Sequence, residues 1–130
     1  MAEFIKHYEI LFIKANVDLK AAQNLYEDIQ NGDEGLDYEV ILFHLHQCAE
    51  KLIKSLLSFH KIEFPRVHDL ELLANILKEF NIETGLDFDL LIGLSDYAVE
   101  GRYAFIHEED IKEIEKYISM LRKALNKPLT

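Results

Sequence analysis

His44-Leu45-His46-Gln47-Cys48-Ala49-Glu50-Lys51-Leu52-Ile53-Lys54-Ser55-Leu56-Leu57 runs without a proline or glycine. Within and around it, Ile41, Leu45, Cys48, Leu52, Leu56 and Phe59 recur at steps of three and four. That spacing gathers side chains on one face of an α-helix, whereas a strand would need alternation. The pattern predicts a helix over residues 37–60 with one apolar stripe.

The same period extends in both directions. Upstream, Leu11, Ala15, Leu19, Ala22 and Leu25 predict a first helix over residues 3–30. Asn31-Gly32-Asp33-Glu34-Gly35 stops it, because glycine tolerates the left-handed turn that ends a helix. Downstream, Pro65 breaks the chain before a third helix over residues 68–80, with Asp69 suited to the positive end of its dipole. Leu70, Leu73, Ile76, Leu77 and Phe80 form that helix's apolar face. Asn81-Ile82-Glu83-Thr84-Gly85 reads as a turn, followed by a fourth helix over residues 87–104. The last spans residues 108–126, with Ile111, Ile114, Ile118, Leu121 and Leu125 on one side. Glu108, Glu109 and Asp110 suit its N-terminus, and Lys123 and Lys127 its C-terminus. The expected fold is all-α: an up-and-down bundle of four to five helices, with residues 1–130 as a single domain.

Composition agrees with a folded helical domain. The chain has 130 residues, 49% hydrophobic and 29% charged, with only two prolines and five glycines to break helices. Its net charge of −10 repels a phosphate backbone overall and argues against nonspecific nucleic-acid binding. The single cysteine, Cys48, lies in the apolar stripe and reads as a small buried side chain. Charges among the first seven residues leave no room for a signal peptide, and no apolar run is long enough to span a membrane. A cytoplasmic location is expected, with no cofactor.

Several residues could carry chemistry. His44, Gln47, Lys51 and Lys54 follow steps of three, four and three, so one helix face is cationic and hydrogen-bonding. Such a face suits a phosphate, a nucleotide or a partner chain, although Glu50 to Lys54 is also an ordinary helical ion pair. His46 points elsewhere, and no histidine or cysteine spacing suits a metal. Lys61, Arg66 and His68 cluster between the second and third helices. Gly93 and Gly101 lie in the fourth helical pattern and permit close approach of another helix, for instance across a dimer interface. Arg102 and His107 are separated by four residues and pair a permanent cation with a group that titrates near neutrality.

Taken together the chain resembles the HEPN domain family (higher eukaryotes and prokaryotes nucleotide-binding). The resemblance rests on Ala15-Asn16-Val17-Asp18-Leu19-Lys20-Ala21-Ala22, the 44–57 stretch, Val67-His68-Asp69-Leu70, and Tyr97 followed by Gly101-Arg102-Tyr103. It implies a bundle of four or five helices that forms homodimers. It also implies a minimal nucleotidyltransferase as partner, in toxin–antitoxin or related modules, and a nucleotide or RNA as ligand. By this similarity His44, Gln47, Lys51, Lys54, Arg102 and Tyr103 are nucleotide-binding candidates. One branch of the family comprises metal-independent ribonucleases in which an Arg-x4-6-His motif from each copy meets at the dimer interface. Arg102 would then hold the scissile phosphate and His107 would move a proton. Tyr103 departs from the small polar residue frequent after that arginine. Arg102-Tyr103 resembles the nucleotide-binding branch instead, with Ala104 where proline is usual. Three readings stand: a nucleotide- or nucleic-acid-binding partner of a nucleotidyltransferase, an endoribonuclease toxin, and a helical scaffold.

Overall fold

A computed structural model describes residues 6–35, 37–98, 106–127 and 129. Every regular element among them is helical: α1 (His7–Gln30), α2 (Tyr38–Phe59), α3 (Leu70–Glu79), α4 (Phe88–Leu94), a 3₁₀ turn (Ser95–Tyr97) and α5 (Glu108–Leu125). The expected all-α bundle is therefore the observed one.

α1 and α2 form an antiparallel hairpin. Ser55 Oγ donates to the Tyr8 carbonyl at 2.8 Å near one end, while Asp18 meets His44 further along. Gly32, at φ +96°, supplies the left-handed step that closes α1. α2 is the central element and packs against every other one. Its Ile41, Leu45, Cys48 and Leu52 are buried as the stripe predicts, with Leu56 and Phe59 partly covered at its end. Leu70, Leu73 and Leu77 of α3 and Ile114, Ile118, Leu121 and Leu125 of α5 close the core, but Phe80 ends up exposed. Three helices start on an aspartate cap that satisfies otherwise orphaned amides. Asp37 accepts from Glu39 N, Asp69 from Leu72 N, and Asp87 from Asp89 N and Leu90 N.

The fourth helix is shorter than its apolar spacing implies. α4 ends at Leu94 and the chain tightens into the Ser95–Tyr97 turn rather than continuing. Ser95 Oγ donates back to the Ile92 carbonyl at 2.7 Å, offering the backbone a local alternative to further α-helix. Tyr97 is then drawn inward, where its hydroxyl meets Asp110 of α5. Residues 99–104 of the predicted segment lie outside the described residues. Gly93 does permit a close approach, and the neighbour is α5 of the same chain. A Cβ at this position would overlap the Tyr117 hydroxyl and crowd Asp110. Gly101 lies outside the described residues.

Candidate functional site

The outward edge of α2 is built around a carboxylate from α1. Asp18 occupies a position between Ala15, Leu19 and Ala22, all buried, and is itself only 8% exposed. A carboxylate taken out of water costs several kcal/mol unless it is paired. Here both oxygens are: Oδ1 lies 3.0 Å from His44 Nδ1, and Oδ2 accepts from Lys51 Nζ at 2.5 Å. Gln47 sits between those partners on the same face, and its Nε2 donates to the Ala98 carbonyl at a long 3.4 Å. Three of the four α2 candidates therefore share one edge. Ala98, the last described residue before Arg102, thus has its carbonyl at that edge. Arg102 and Tyr103 themselves lie outside the described residues.

Lys54 belongs to a second cluster. Its Nζ reaches Glu50 Oε2 at 3.1 Å, and Glu50 Oε1 lies 2.8 Å from His68 Nδ1. Glu50 is buried, while His68 is well exposed. Removing Lys54 would strip that buried carboxylate of its permanent cation, so the lysine serves the fold first. His46 lies close by, wholly buried, with no partner within hydrogen-bonding geometry for either ring nitrogen among the described residues. Burial pushes its ring down to about 4, against smaller opposing pulls from Glu50 and the His68 backbone, so it is neutral at physiological pH.

His107 caps α5. Its backbone N–H donates to the Tyr97 hydroxyl at 3.2 Å, and its Nε2 stands 3.3 Å from Asp96 Oδ2. Both side chains are more than half exposed, which makes their pairing weak. The ring opens on a cleft of about 450 Å³ whose walls include Asp96, Glu108, Glu109 and Asp110. Such acidic walls repel a phosphate unless a cation is brought in, and Arg102 is the sequence candidate for that role. Tyr97 and Tyr117 are buried core residues, and both hydroxyls donate to Asp110, at 2.9 and 2.8 Å.

This arrangement can be set beside known proteins. The family model described as HEPN domain matches residues 8–128. The chain belongs to the HEPN domain family. A crystal structure of an archaeal HEPN homologue shares its fold, with a TM-score of 0.54, 22% identity and 94% of each chain covered. No curated protein matches. In this HEPN domain the carboxylates missed by pattern reading are Asp18 at the α2 edge and Asp96 and Asp110 at the α4–α5 junction. Asp18 carries a visible signal, a charge at a stripe position of the first helix three residues after Ala15 and four before Ala22. Asp96 and Asp110 carry none, because their partners are set by how the 3₁₀ turn meets α5.

Proposed function

We propose that this HEPN domain binds the phosphate of a nucleotide or of a nucleic-acid end through the His44–Gln47–Lys51 edge of α2, as partner of a minimal nucleotidyltransferase. The observation that carries this reading is the Asp18 carboxylate gripping His44 and Lys51 together. Two potential cations are thereby held at one place in a protein whose net charge is −10. Arg102 and Tyr103 are proposed to complete the site from the segment after Ala98, with Lys54 contributing longer-range charge. A second copy is proposed to pack on α1, where Ile10, Ile13 and Val17 form an exposed apolar stripe at helical spacing. We place this assembly in the cytoplasm, within a toxin–antitoxin type of module.

Titration of the purified protein with 5′-AMP and ATP tests the reading. Lys51→Ala is expected to weaken binding about tenfold at low ionic strength, with a smaller loss at high salt. Unchanged affinity in Lys51→Ala and His44→Ala together would discard this edge as the site.

The Asp96–His107 pair favours one further reading, a metal-independent endoribonuclease in which Arg102 anchors the phosphate and His107 transfers the proton. Metal-free RNA cleavage that disappears in His107→Ala and Arg102→Ala, both still folded, is its expected result. A folded wild type that leaves RNA intact removes it.

A further inference from the structure

We infer that Asp18 is the positioning residue of the α2 edge, holding His44 and Lys51 so that a single phosphate group engages both. The inference rests on the binding reading above and adds a residue that opposes the ligand's charge.

The geometry is specific. His44 and Lys51 are seven residues apart on α2, about 10.5 Å along a helix axis. Left to themselves, two side chains two turns apart would serve different groups of an extended ligand. Instead both nitrogens converge on the two oxygens of one carboxylate, at 3.0 and 2.5 Å. The carboxylate comes from another helix and is 8% exposed, so its own position is set by the α1–α2 packing. In the charged imidazole both nitrogens donate; Asp18 takes Nδ1, and Nε2 remains for a ligand. Lys51 uses one of its three donors on Asp18 and keeps the rest. A lysine free in solvent loses much of its rotamer entropy when a ligand fixes it. In this site much of that loss has already occurred on folding.

Two expectations for Asp18→Asn then have opposite sign. If charge alone governs, the substitution makes the edge one unit more positive and 5′-AMP binds more tightly. If Asp18 positions the cations, the loss of its bridge releases Lys51 and His44 and 5′-AMP binds more weakly.

The experiment is calorimetric titration of 5′-AMP into wild type, Asp18→Asn, His44→Ala and Lys51→Ala. The expected result is a loss of about tenfold in Asp18→Asn, comparable with the loss in Lys51→Ala. Equal or tighter binding by Asp18→Asn, with His44→Ala and Lys51→Ala both weakened, overturns the positioning role and leaves the edge as the site. No change in any variant overturns the edge itself, and the positioning role with it. A ¹⁵N spectrum of the histidine rings in the wild type provides the test should Asp18→Asn fail to fold. Addition of 5′-AMP is expected to move the His44 Nε2 signal while Nδ1, held by Asp18, stays in place. Movement confined to Nδ1, or no movement of His44 at all, overturns the inference.

Discussion

Asp110→Ala is expected to cost about 4 kcal/mol of folding stability, read as a lower urea midpoint with little change in slope. Asp110 is in the first turn of α5 and only 7% exposed. Its Oδ1 accepts from the Tyr117 hydroxyl at 2.8 Å and its Oδ2 from the Tyr97 hydroxyl at 2.9 Å. Hydrogen bonds to a charged group contribute about 1.5–3 kcal/mol each, and removing the acceptor leaves two phenols in the core without their partner. Burial pushes the Tyr97 phenol up to about 12 and raises that of Tyr117 as well, so both remain protonated donors at neutral pH.

Neither ring has an easy alternative. The Tyr117 hydroxyl abuts Gly93 so closely that no side chain fits between them, which limits any swing toward α4. Tyr97 keeps one bond, from the His107 amide, but loses its anchor on α5. The cost therefore falls on the junction that carries His107, and the variant should also alter the exchange of the His107 amide. Tyr117→Phe is expected to lose less, about 1–2 kcal/mol, because one donor goes and the carboxylate keeps the other, while Tyr97→Phe also removes the acceptor of the His107 amide and falls between the two. A loss below about 1 kcal/mol in Asp110→Ala would mean that water replaces the carboxylate and that the network does not hold the junction.

The contrast between α2 and the α4–α5 junction explains how far pattern reading reaches. The stripe from Ile41 to Leu52 is legible because a helix's own period decides which side chains it buries. The Asp37, Asp69 and Asp87 caps are equally local. Residues beyond Leu94 obey a different constraint. Their apolar spacing allows more helix, yet Tyr97 is drawn to a carboxylate thirteen positions later, which no local rule encodes. The candidate site divides in the same way. His44, Gln47 and Lys51 are visible as one face. That face is tethered by Asp18, 26 residues before His44, and this is visible only once α1 lies against α2. Lys54, on the same sequence pattern, is committed instead to Glu50, whose other oxygen faces His68 from the loop before α3.

His46 gives a second large effect, and its sign follows from the direction of its shift. Burial lowers its folded-state value from the ordinary 6.5 to about 4. Below pH 6.5 the unfolded chain therefore binds a proton that the folded chain does not, and stability falls as the pH drops. The loss develops between pH 6.5 and about 4 and then levels off, reaching roughly 3 kcal/mol from this residue. Carboxylates across the protein titrate in the same range, so the comparison that isolates the histidine is wild type against His46→Leu. Urea unfolding at pH 7 is expected to give a variant at least as stable as wild type, because two buried ring nitrogens with no partner in good hydrogen-bonding geometry among the described residues are replaced by an apolar side chain. At pH 4.5 the variant should exceed wild type by about 2 kcal/mol more than at pH 7. Parallel pH curves for the two proteins would show that the ring takes up its proton in the folded state. The proton would then be received by Glu50, turned from Lys54 and His68, or by the His68 backbone, the two groups that pull the His46 value upward.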